Sequence, residues 1–233
     1  MIIIKGEDLK NKILQVAGEL FDENGYSNTS IRNIAEKAGI GRGLLYYYFN
    51  KKEEMRLEHC KFFYEKVSYY LNKHVSNLEN PYLFFSLIIR CHVYLNSFYT
   101  SASEIAERYE IKSLFAQDCK QLENKVVLLS RKINKPIDLE KLSMCIEISL
   151  LINNHLQYEK IFNNKDISHN DICVKVIFHG LHELEMHSDE INYLLKESQV
   201  VFDSLDKNEL IELYHNRNYI EINNIINKAP YNS

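Results

Sequence analysis

Residues 29–52 read Thr-Ser-Ile-Arg-Asn-Ile-Ala-Glu-Lys-Ala-Gly-Ile-Gly-Arg-Gly-Leu-Leu-Tyr-Tyr-Tyr-Phe-Asn-Lys-Lys, and they constrain the fold more than any other stretch. The spacing predicts two short helices joined by a tight reversal. That is the layout of a helix-turn-helix, whose second helix can enter the major groove of DNA. Ile31, Ile34 and Ala35 give the first helix an apolar face at i, i+3, i+4. Gly39 sits where the chain must reverse, because glycine reaches positive φ at no steric cost. Ile40 and Leu44 or Leu45 then anchor the second helix. Arg42 and the run Tyr46-Tyr47-Tyr48 are left to point outward.

With the stretch before it, this pattern resembles the TetR (tetracycline-repressor) family of bacterial transcription regulators. The resemblance runs over residues 9–55. It rests on Leu20-Phe21 and Gly25-Tyr26 closing an amphipathic first helix, then Thr29-Ser30-Ile31, Ile34-Ala35, Ala38-Gly39-Ile40 and Lys52-Glu53-Glu54-Met55. The run Gly43-x-Leu45-Tyr46-x-Tyr48-Phe49-x-x-Lys52 after Ala-Gly-Ile is its most specific part. Beyond residue 55 the likeness is one of architecture only.

The resemblance implies an all-α chain. A three-helix DNA-binding head spans 1–51, a helical effector-binding and dimerisation domain 52–187, and a helical extension 188–233. It also implies a cytoplasmic homodimer that binds double-stranded operator DNA, represses transcription and yields to a small effector. No catalytic residue, cofactor or metal is expected. Arg42 is expected to read a base edge, since Arg bonds guanine O6 and N7 bidentately, or to hold a phosphate. Tyr46, Tyr48 and Lys52 resemble phosphate contacts, as do Thr29, Ser30 and Arg32 at the start of the second helix. Tyr47 would meet a base edge or thymine methyl. Gly41, Gly43 and Leu44 complete the expected DNA-facing set. Two of these depart from the family, which often has Ser or Thr in place of Gly41 and of Leu44. The first loses a side-chain cap, at a cost of a few tenths of a kcal/mol. The second cannot hydrogen-bond to DNA.

Composition agrees with a helical chain. Three prolines and seven glycines in 233 residues, with 45% apolar residues, argue for long helices. No apolar run approaches the roughly 18 residues of a membrane span. Five widely spaced cysteines (60, 91, 119, 145, 173) fit a reduced compartment. A net charge of −4 looks wrong for a DNA binder, but residues 27–52 hold five basic residues against one acidic. Screening makes phosphate attraction local, within roughly 8–10 Å, so a basic head on an acidic body suffices.

Helices are expected over about 8–23, 30–37, 41–47, 52–78, 81–99, 101–110, 111–133, 138–162, 170–187 and 188–205. Asn80-Pro81 should restart the chain as N-cap and N1, Ser188 should cap a helix, and Asp206-x-x-Glu209 should open another. The tail after Ile220 is Asn-rich and weakly periodic. The segment 81–99 is apolar on most of its surface and should be central.

In the aromatic middle, the family implies an effector cavity. Phe62, Tyr69, Phe85, Phe98, Tyr99 and Phe115 would be its walls and His92, Asn96 and Gln117 its polar handles, against the plainer reading of ordinary core. The helices at 138–162 and 170–187 are apolar on nearly all faces, which implies a two-fold partner or, alternatively, burial under the C-terminal extension. Ile146, Leu150, Asn153, Ile172, Val176, Ile177, Gly180 and Leu184 are the expected interface. His179-x-x-His182 reads as solvated or interfacial rather than metal-binding, because a metal needs ligands from more than one element. Two rival readings stand beside this one. The first is a regulator without a small ligand, controlled by a partner protein through the extension. The second is an enzyme or carrier that keeps the head.

Overall fold

The computed structural model describes residues 6–75, 78–99, 112–132, 137–216 and 218–227. Among them are eleven helices and no strand. The first four are α1 (Gly6–Asn24), α2 (Ile31–Ala38), α3 (Arg42–Tyr48) and α4 (Lys52–His74). α1 buries Ile13, Leu14, Ala17, Leu20 and Phe21, then ends at Gly25 with φ 83°. Ser30 caps α2 by accepting from Asn33 N at 3.1 Å. Gly39 closes α2 at φ 70°, where a side chain would be strained. Ile34, Ala35, Ala38, Leu45, Phe49 and Met55 join the α1 stripe in one head core.

α4 leaves the head and enters the body. Met55 and Phe62 belong to the head core, while Tyr64, Val67, Tyr70 and Leu71 belong to the body core. The helix stops at His74 rather than continuing to Leu78. Val75 is already extended, and Leu78 is still buried, so the chain leaves the helix to place that side chain in the core. Asn80 then caps α5 (Pro81–Tyr99), its Oδ1 accepting from Tyr82 N at 2.9 Å. α5 is the central helix: Leu87, Ile88, Ile89, Cys91, Val93 and Leu95 are each at most 1% exposed.

The rest of the body is α6 (Lys112–Lys132), α7 (Leu139–Phe162), α8 (His169–Glu183) and α9 (Ser188–Ser204). The short helix expected at 101–110 lies outside the described residues. Asp138 caps α7, and Ser168 with Asp171 forms a full capping box on α8. α8 ends at Glu183, short of the expected 187, because Glu185 at φ 57° turns the chain toward α9. That shifts the cap as well: His187 is the N-cap residue of α9 and Ser188 its first helical residue. Arg90, a lone charge inside α5, ties α9 down. Its guanidinium donates to Ser198 Oγ at 2.9 Å, Leu195 O at 2.9 Å and the Gln199 side chain.

The extension continues through α10 (Lys207–His215) and α11 (Tyr219–Asn227). Asp206 caps α10 as expected, accepting from Asn208 N and Glu209 N. α11 was not legible in the sequence. Tyr219, Ile222 and Ile226 form its buried stripe, and they enter the head core rather than the body. No described helix is long and apolar enough to cross a membrane.

Candidate nucleic-acid interface

Leu45 and Phe49 are buried against the head core and fix the rotation of α3. The opposite surface carries Arg42, Gly43, Leu44, Tyr46 and Tyr47. Leu44 is 45% exposed, Tyr46 49% and Tyr47 80%, an unusual apolar load for a seven-residue helix in water. A Cβ at Gly41 or Gly43 would touch nothing within 4 Å, so packing inside the protein does not require glycine there. Their bare backbone permits close approach from outside. Gly41 caps α3 without a side-chain bond. Tyr48 is half-buried and stands edge-on to Tyr47 at 5.1 Å.

Two expected phosphate contacts have another role. Thr29 is 2% exposed, and its hydroxyl bonds inward to Leu20 O at 3.0 Å and Gly25 O at 2.8 Å. It locks the corner between α1 and α2, and its side chain does not face the DNA side. Lys52 donates to Tyr26 O at 2.5 Å and Thr29 O at 2.8 Å, with its ammonium 4.0 Å above the Tyr26 ring. It therefore clips the start of α4 to the same corner. Ser30 is exposed, with its hydroxyl engaged in the α2 cap.

The local positive charge is smaller than the sequence suggests. Lys37 pairs with Glu19 at 3.3 Å and Glu23 at 3.0 Å, on α1. Arg32 pairs with Glu36 at 2.8 Å, and that carboxylate raises its pKa. Among the described ion pairs, neither Arg42 nor Lys51 has an acidic partner. Both remain exposed beside the tyrosine face.

The expected effector residues divide between the two cores. Phe62 is in the head core, stacked on Tyr219 at 4.0 Å, and half-buried Tyr69 packs against that core too. These two therefore do not line a body cavity with the others. Phe85, His92 and Asn96 are buried on α5, with His92 edge-on to Phe63 at 5.4 Å. The side chains of Phe98, Tyr99, Phe115 and Gln117 lie outside the described residues. A polar feature was missed on α7: Asn153 is 2% exposed and neither of its amide atoms has a hydrogen-bond partner. One turn on, Gln157 is equally buried and its Nε2 is also unpartnered.

The residues expected at a dimer interface point inward. Ile146, Leu150, Asn153, Ile172, Val176, Ile177 and Gly180 are buried within the single chain, and Leu184 packs partly buried on the body core. They join α7 to α8. The outward face of α7 instead shows Met144 at 53%, Leu151 at 55% and Phe162 at 41% exposure. Both faces of this helix are apolar, so the sequence pattern could not say which one is turned out.

Residues 13–58 match the family model described as bacterial regulatory proteins, tetR family. Over 51 residues the chain is 47% identical to the HTH-type transcriptional regulator QacR of Staphylococcus aureus, covering 22% of this chain and 27% of that protein. Over 46 residues it is 41% identical to the HTH-type transcriptional repressor KstR2 of Mycolicibacterium smegmatis, covering 20% and 22%. The similarity thus spans about a quarter of the length of these relatives. The fold likeness extends further. The crystal structure of RolR with the ligand resorcinol aligns at TM-score 0.59 and 19% identity, over 81% of this chain and 93% of that one.

Proposed function

We propose, from the match of residues 13–58 to the tetR family of bacterial regulatory proteins, that the whole protein is a cytoplasmic, homodimeric, ligand-responsive repressor of transcription. The observation that carries the reading is the outer face of α3. Arg42 is exposed there beside Leu44, Tyr46 and Tyr47, on a helix whose rotation Leu45 and Phe49 fix. Arginine can bond a guanine edge bidentately, tyrosine hydroxyls can hold phosphates, and Leu44 can meet a thymine methyl. Lys52 holds the corner behind Ser30 and Arg32, so the start of α2 stays positive and rigid beside a phosphate.

Two heads related by a two-fold axis would read an inverted repeat, with half-sites one helical turn, about 34 Å, apart. The α7 stripe of Met144, Leu151 and Phe162 is the surface for that pairing. Asn153 and Gln157 support the effector reading. A buried amide without partners is costly, and a ligand carrying both a donor and an acceptor would satisfy it. Such a ligand acts by population shift: it must bind the DNA-incompetent state more tightly than the competent one.

The test starts with the full chain and a randomised DNA pool. An enriched inverted repeat bound by a dimer supports the reading, whereas a pool that stays unenriched refutes it. Small phenolic and amide compounds are then screened for a raised melting temperature and for release of the selected DNA. Asn153→Leu should abolish the response to any hit. A second reading, control by a partner protein, draws on Tyr193 and Val200, which are 62% and 71% exposed and seven residues apart on α9. Should every stabilising compound leave DNA binding unchanged, that reading takes precedence.

A further inference from the structure

We infer that α11 is an intramolecular strap: the far end of the chain completes the DNA-binding head and sets how firmly the head is held on the body. The main packing partners of α1 are α2, α4 and α11. Beside α11, a cleft of about 460 Å³ lies between α1 and α6, lined by Lys10 of α1, Lys125 of α6 and, on α11 itself, Tyr219 and Ile226. The head is thus gripped by its own connecting helix and by the strap.

The strap is anchored along α4. At its body end, Tyr70 donates to Asp206 O at 2.6 Å, and Glu209 receives Lys73 at 2.7 Å and His74 at 2.8 Å. Midway, Lys66 donates to Tyr214 O at 2.6 Å and Asn216 O at 3.2 Å, where α10 ends and its carbonyls lack helical partners. At the head end, Tyr219 is 4% exposed, stacked on Phe62 and hydrogen-bonded to His59 Nδ1 at 2.5 Å. His59 in turn fills the space beside Gly18 of α1, where an added Cβ would stand 2.4 Å from its Cε1, and meets Phe21 edge-on at 5.7 Å. Tyr219, His59 and Gly18 therefore form a continuous contact from the extension through α4 to α1. A shift of α1 on α4 has to break it. The strap makes head and α4 move as one lever, so a change in the body reaches α3 undamped.

The test compares full-length wild type with Tyr219→Ala and the milder Tyr219→Phe, which keeps the ring and loses the His59 bond. Hydrogen exchange is followed in residues 6–24, with 139–183 as internal reference. About tenfold faster exchange of 6–24 in Tyr219→Ala, a smaller increase in Tyr219→Phe and an unchanged reference are expected. Unchanged protection of 6–24 overturns the strap, and so does equal acceleration of the reference in both variants, which would mark Tyr219 as general core. The second arm rests on the DNA-binding reading above. Operator affinity should fall about tenfold in Tyr219→Ala with the same salt dependence. Full affinity from a loosened head overturns the lever. A wild type that selects no DNA would sink the DNA-binding reading and leave the exchange result standing.

Discussion

At Gly180 the backbones of α7 and α8 come too close for a methyl group. A Cβ there would stand 2.0 Å from Ser149 Oγ, 3.3 Å from Cys145 O and 3.4 Å from Ser149 Cβ. Ser149 is fully buried, and its hydroxyl already donates to Cys145 O at 2.7 Å. Rotating it away forfeits a buried hydrogen bond worth about 1 kcal/mol. The overpacking itself costs roughly 1–3 kcal/mol. Against this, alanine regains the roughly 0.5–1 kcal/mol that glycine loses inside a helix. Gly180→Ala should therefore destabilise the protein by about 2 kcal/mol, a drop in Tm of roughly 4–8 °C for a chain of this size. The assay is urea unfolding at one fixed protein concentration, because a dimer couples stability to concentration. Ser149→Ala removes the nearer clash and leaves the backbone oxygen. In that background the same substitution should cost only about 1 kcal/mol, giving a coupling of about 1 kcal/mol between the sites. Gly180→Ala at or above wild-type stability, or strict additivity with Ser149→Ala, would refute this register of α7 on α8.

Leu151→Glu puts a charge on the outward face of α7 and should give folded monomers in light scattering; a persistent dimer would mean that another surface pairs the chains. Lys52→Met removes two charge-assisted bonds to the α1–α2 corner, so the head should lose about 2 kcal/mol of stability while the salt slope of DNA binding stays that of wild type. Unaltered unfolding would return Lys52 to a purely DNA-facing role. Burial pushes the thiols of Cys145 and Cys173 up to about 12, so at pH 8 both stay protonated and should resist a thiol reagent until the protein unfolds. Rapid modification of either in the native state would show that the α7–α8 core opens.

The head was legible because its signals are local. A cap at Thr29 or Ser30, the reversal at Gly39 and an anchor at Leu44 or Leu45 follow from residues within a few positions, and the structure selects Ser30 and Leu45. Direction was harder. Thr29 and Lys52 are donors beside a DNA face, and a sequence does not say whether a donor points out toward phosphate or in toward a carbonyl. The same ambiguity put Asn153 and its neighbours at an interface, because α7 is apolar on both sides. Ser149 opposite Gly180 was the usable sign, since small residues mark the close helix contact. α11 stayed hidden because its stripe holds three residues among asparagines and gains meaning only against Phe62 and His59, far away in sequence. Arg90 went unremarked in the sequence although it is a lone charge in an apolar run, and its partners on α9 come from a fold-level contact.

Binding of wild type and Arg42→Ala to a selected operator, and to every single-base variant of one half-site, tests the central claim most directly. Arg42→Ala should lose roughly 1–3 kcal/mol on the parent site and discriminate less at one base pair, with preferences elsewhere intact. Identical base preferences in the two proteins would contradict the claim that α3 reads the groove through Arg42.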